Sequence, residues 1–145
     1  MTEYISEIFR RIDNAKSRKL KKDILISCKD NNIFKFVLQG TFDPSIEWTI
    51  QKVPKYVGVS DRPIDLVDTS LFATIPKCSI FVKGHARSKP LGEEQSHNLL
   101  LQMLEIMHEF ESNIFASMIK KKLKVKGLTE KLVLEVFPDL YRKVG

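Results

Sequence analysis

The spacing of its apolar residues limits most strongly what this chain can fold into. Leu99, Leu100, Met103, Leu104, Met107 and Phe110 form one stripe at intervals of three and four, the period of an α-helix rather than the alternation of a strand. The stripe predicts a helix from about Glu93 to Glu111. Ile5, Ile8, Phe9 and Ile12 repeat the pattern near the N-terminus. Ser17 is suited to cap a second helix with Leu20, Ile24 and Cys28 inward. A third helix, Asn32 to about Gln39, is apolar on more than one face, and Gly40 suits its C-terminal cap.

Asp43-Pro44 reads as a cap and first-turn proline for a helix carrying Ile46, Trp48 and Ile50, closed by Pro54. Lys55–Pro63 and His85–Gly92 read as polar loops. Between them Thr69–Val82 is helical in tendency, broken or restarted at Pro76 and stopped at Gly84. Ser112 is expected to cap a helix with Phe115, Met118, Ile119 and Leu123 inward, broken at Gly127. Thr129 then caps a last helix, with Leu132, Val133, Val136 and Phe137 inward and Pro138 as its stop. No repeat or linker divides the chain. The expected fold is all-α, a compact multi-helix single domain over residues 1–145, long enough to bury a core without staples.

The same residues argue against catalysis. His97 and His108 share a helix face but stand about three turns, or ~16 Å, apart, too far for one metal ion. With His85 they complete the histidines, and the chain contains no HExxH, zinc-finger, EF-hand, GxGxxG or GxxxxGK[ST] pattern. Glu93-Glu94 and the Glu109/Glu111 pair read as solvated helix surface. Cys28 and Cys78 are far apart among apolar neighbours and read as buried thiols of a reducing compartment. No enzyme, cofactor or metal is expected. No segment approaches the roughly 20 apolar residues that cross a bilayer, so no membrane partner is expected, and the expected location is a cytoplasm.

Charge is the one marked bias. Lys and Arg number 24 against 18 Asp and Glu, a net charge of +6. Lys16, Arg18, Lys19, Lys21 and Lys22 crowd the junction of the first two helices. Lys120, Lys121, Lys122, Lys124 and Lys126 crowd the end of the penultimate helix. Each cluster abuts the start of a following helix, whose unpaired N–H groups and dipole suit a phosphate. Glycine at 127 lets a backbone come close. Lysine supplies sequence-independent attraction by counterion release, whereas guanine is usually read by bidentate arginine. Solvated helix ends are the plainer account of the same charges. Phe34, Phe36 and Trp48 have the spacing of core residues rather than of stacking platforms.

Two stretches resemble the amino-terminal helical DNA-binding domain of ATP-dependent DNA ligases from T-even-like phages. The first, about Ile8 to Pro54, has an amphipathic helix, a Ser-Arg-Lys-Leu-Lys-Lys helix start, an asparagine-bounded third helix and a Lys52-Val53-Pro54 end. The second, about Asn113 to Leu140, has a basic helix with Met118, a glycine, a Thr-capped helix and Val136-Phe137-Pro138. The chain also resembles small proteins of T-even-like cyanophages through Phe42-Asp43-Pro44-Ser45-Ile46-Glu47-Trp48. The resemblance implies phosphate contact near Lys124, Lys126, Gly127 and Thr129. It does not extend to the ligases' KxDG motif: Lys29-Asp30-Asn31-Asn32 has neither the spacing nor the glycine, so ligation by this chain alone is not expected.

The candidate nucleic-acid site is therefore Lys16, Arg18, Lys19, Lys22, Lys120, Lys121, Lys124, Lys126, Gly127 and Thr129, with the two junctions expected on one side of the molecule. The expected function is non-enzymatic binding of duplex DNA through its phosphates, without sequence preference, in phage DNA metabolism in the host cytoplasm. The alternative is a protein-interaction module docking on a host or phage complex such as a polymerase or virion component. The loops Lys55–Pro63 and His85–Gly92 would then be its contact surfaces.

Overall fold

The computed structural model describes residues 3–50, 52–84 and 92–141. The fold is all-α. Its helices are α1 (Ile5–Asn14), α2 (Arg18–Ser27), α3 (Asn32–Phe42), α4 (Leu71–Thr74), α5 (Glu93–Ile106), α6 (Glu109–Ile119) and α7 (Glu130–Val136), with 3-10 turns at Ile64–Leu66 and Ile75–Phe81. Helix α6 is the hub, packing on α1, α3, α4 and α5, while α2 joins α1 to α7. Among the described residues no helix is long and apolar enough to cross a membrane.

Helix α1 follows its sequence pattern, burying Ile5, Ile8, Phe9 and Ile12. Helix α2 does not turn as expected. Leu20 is exposed and Ile24 half-buried, while Lys21 and Leu25 face inward with Cys28. Lys21 is tolerated there because its ammonium donates to the Ile12 carbonyl at 2.7 Å, a last-turn acceptor of α1 that it shares with the Ala15 amide, while its stem packs as hydrocarbon.

Helix α3 runs through Gly40 to Phe42, so Gly40 is not its cap. A side chain has no room at that position. A Cβ would lie 2.8 Å from Trp48 Cζ2 and 3.0 Å from Met118 Sδ, and the Trp48 indole donates to the Gly40 carbonyl at 3.0 Å.

Asp43-Pro44 opens no helix. The Asp43 carboxylate accepts from the Ser45 amide at 2.9 Å and its hydroxyl at 2.7 Å, a local turn that competes with helix formation. Ile46, Trp48 and Ile50 are then buried at every second position, the period of extended chain. Trp48 pairs with Val82 in an isolated antiparallel bridge. The Thr69–Val82 region is helical as read: α4 gives way after Thr74 to the 3-10 segment, and Pro76 sits in the first turn of that restart. Gly84 follows with φ +83. Of the loop expected at His85–Gly92, residues 85–91 lie outside the described residues.

The single helix expected over Glu93–Glu111 is two, parted at Met107 and His108. There the backbone pairs with the incoming loop, Val59 N–H donating to the Met107 carbonyl and Glu109 N–H to the Val59 carbonyl, each at 2.9 Å. His108, through Nδ1, caps α6 by accepting from the Phe110 amide at 3.2 Å. Ser112 is therefore no cap; it lies buried inside α6 with its hydroxyl donating to the Leu104 carbonyl. Phe110 leaves the core stripe and carries the Arg10 guanidinium 4.4 Å above its ring.

Glu111 is not solvated. It is fully buried, accepting from the Ser6 amide at 2.8 Å and the Leu71 amide at 3.2 Å, and so ties the first turns of α1 and α4 to α6. Phe34 and Trp48 are core residues and Phe36, partly buried, packs against the core. Both thiols are buried and unpaired; burial raises the Cys28 pKa and pushes that of Cys78 up to about 12.

Candidate nucleic-acid interface

Ser17 begins the first junction as its sequence suggests, its hydroxyl accepting from the Leu20 amide at 3.2 Å. Lys16, Arg18 and Lys19 are exposed around this turn. The second junction differs from the reading. Helix α6 ends at Ile119 with Lys120 as its C-cap, and Lys121 adopts φ +58. The chain then runs non-helically, with Lys122, Lys124 and Lys126 exposed and Leu123 and Val125 turned in. The lysines of this segment thus follow a period of two, roughly 7 Å between successive amine-bearing residues.

The two junctions touch. The Lys126 amide donates to Asp13 Oδ1 at 2.8 Å, fastening the second junction to the end of α1. Gly127, at φ +72, lies against the stem of Lys21, where a Cβ would meet Cε at 2.8 Å. Across the α2–α7 contact, Arg18 and Lys22 meet Glu135 at 2.7 and 4.0 Å. The Arg18 hydrogen bond, helped by the neighbouring cations, holds the Glu135 carboxyl below its ordinary pKa.

These contacts sort the expected site residues. Lys16, Lys19, Lys120, Lys124 and Lys126 are exposed and, among the described residues, make no ion pair. Arg18 and Lys22 share Glu135. Lys121 turns the other way, its ammonium donating to the Asp43 carbonyl at 2.6 Å, and burial lowers its pKa. Thr129 uses its hydroxyl to accept from the Leu132 amide at 3.2 Å. Helix α7 has only 7 residues, so its dipole adds little to phosphate attraction. Gly127 keeps the positive φ that a tight junction requires.

Sequence reading missed a groove of about 670 Å³ beside this face. Lys120, Lys122 and Lys124 line it together with Tyr56, Asn113, Ser117 and the apolar Ile114, Ala116 and Val125. The Tyr56 hydroxyl donates to Asn113 Oδ1 at 2.6 Å, and burial raises the phenol pKa, keeping it protonated. With its oxygen occupied, the Asn113 amide has its NH2 left as a donor. No local pattern marks Tyr56, which lies 57 residues from its partner. Among the described residues no group of His, Cys, Asp or Glu is arranged to hold a metal ion.

No family model matches this sequence, and no curated protein matches it. Among solved structures, the ligase-related chain Pmar-Lig_PreS3 superposes on it with a TM-score of 0.72 at 16% sequence identity, over 98% of this chain and 32% of that one. This chain therefore corresponds to about a third of that chain's length. At that identity the likeness is one of fold alone, a shared all-helical architecture.

Proposed function

We propose that this chain is a non-enzymatic DNA-binding module that grips the phosphate backbone of duplex DNA without reading its bases, and that it serves phage DNA metabolism in the host cytoplasm. The observation that supports this reading is the contact between Gly127 and Lys21, which brings the two lysine-rich junctions together. Lys16 and Lys19 of the first junction and Lys124 and Lys126 of the second are exposed. Flexible amines attract phosphate as point charges and specify no base edge. The shared fold with a ligase-related chain is consistent with the same reading.

A second reading, docking on a host or phage protein complex, draws on Val57, which is 76% exposed in the Lys55–Pro63 loop. Fluorescence anisotropy with duplex, nicked and single-stranded DNA at two salt concentrations separates the two. Backbone binding requires log K to fall by about 0.9 per neutralised phosphate per decade of salt. No affinity for any of the three DNAs, beside a protein complex that survives nuclease and high salt, would leave the docking reading standing.

A further inference from the structure

Building on the DNA-binding reading, we propose that the groove between α6 and the Lys122–Val125 segment receives one unpaired nucleotide of a DNA strand, so that the protein prefers a duplex carrying a single-stranded overhang to a blunt one. At about 670 Å³ the groove exceeds what a phosphate alone needs, and a duplex is too wide to enter it. Its walls divide chemically as a nucleotide does. Lys120, Lys122 and Lys124 supply cations for a phosphodiester, while Tyr56, Ile114, Ala116 and Val125 bring apolar side chains to the lining, where a base would lie.

Asn113, oriented by the Tyr56 hydroxyl at 2.6 Å, adds an amide donor for the polar edge of the base or the sugar. Such a combination of stacking surface and cationic rim tolerates any base, because every base has a π-face. Lys124 belongs both to this groove and to the neighbouring hollow formed with Arg10 and Asp13 of α1. The two hollows thus adjoin, and Asp13, which holds the Lys126 amide, borders the second of them, so a strand leaving a duplex held at the junctions has a short path into the groove.

The test is fluorescence anisotropy of the full chain with three ligands: a blunt duplex, the same duplex with an overhang of a few nucleotides, and that overhang made abasic. The overhang is expected to raise affinity by about fivefold or more, at the low end of a single base–aromatic stack. The abasic overhang, which keeps the added phosphates, should lose most of this gain. Tyr56→Ala should also reduce it while leaving blunt-duplex affinity within about twofold, and Lys122→Gln should weaken binding of the overhang duplex more than of the blunt one. If Tyr56→Ala fails to fold, the abasic ligand and Lys122→Gln decide. Equal affinity for blunt and overhang DNA, or an abasic overhang as good as the intact one, overturns the groove and leaves duplex binding intact. Absence of binding to every ligand overturns both.

Discussion

Gly127 and Lys21 fit together so closely that a methyl group on the glycine would stand 2.8 Å from the lysine Cε. The lysine has no easy retreat, because its ammonium is held 2.7 Å from the Ile12 carbonyl. The glycine's φ of +72 is a second constraint on the same residue. Gly127→Ala should therefore lower stability by about 1–2 kcal/mol from its backbone conformation alone, with a further loss from the contact. Lys21→Ala removes the contact but also takes the ammonium from the Ile12 carbonyl. In a urea-denaturation cycle the double variant should cost less than the sum of the singles, since both perturb one contact. Strict additivity would show that the two residues do not constrain each other.

The lysines of the second junction should separate into two kinds on substitution. Lys121 holds the Asp43 carbonyl at 2.6 Å, so Lys121→Met should cost about 1 kcal/mol of stability, the scale of a lost hydrogen bond, and change DNA affinity little. Lys126 is exposed. Lys126→Met should leave the melting temperature nearly unchanged and lower the salt slope of DNA binding by about 1. Titration and melting of both variants would reveal a reversed pattern directly.

Glu135 places a carboxylate within 2.7 Å of Arg18 and 4.0 Å of Lys22 on the face proposed to meet DNA. It competes with phosphate for both cations. Glu135→Gln should tighten duplex binding by about threefold, steepen its salt dependence, and alter thermal stability only slightly, as expected of an exposed pair. Weaker binding by this variant would mean that Glu135 positions the cations rather than occupying them.

Much of the fold was legible in the sequence. Helix α1, the Ser17 and Thr129 caps and the all-α class follow from local spacing and side-chain chemistry. The errors occurred where a distant partner overrode a local signal. The Leu99–Phe110 stripe is unbroken in sequence, yet its helix parts at His108 because the loop residue Val59 takes the backbone bonds there. Gly40 has the look of a cap, but the space it leaves belongs to Trp48. The site was legible to the same extent. Its lysines could be named from the sequence, but not that Asp43 draws Lys121 inward, that Glu135 engages Arg18, or that Tyr56 closes a groove beside Lys122. Such pairings are written in tertiary contacts that residue spacing does not encode.

Glu111 offers a test of whether burial or hydrogen bonding dominates at the centre of the fold. Its carboxyl accepts from the Ser6 and Leu71 amides, which favours the ionised form, yet it is fully buried, which favours the neutral one. Burial is the larger effect, and with the nearby Glu7 charge it raises the folded-state pKa above 4.5. The native protein then holds this proton more tightly than the unfolded chain does. The resulting stability is complete below about pH 4.5 and is lost as pH rises through the native pKa. Glu111→Gln removes the titration and gives up one acceptor to an amide NH2, destabilising at every pH. Its cost should be largest near pH 4.5 and shrink towards pH 7, because only the wild type loses stability on ionising. Urea midpoints of the two proteins across that range, with all other titrating groups in common, give the difference directly. A cost that grows with pH would instead mean that the two backbone donors outweigh burial and that the carboxylate, rather than the acid, is the form the fold prefers.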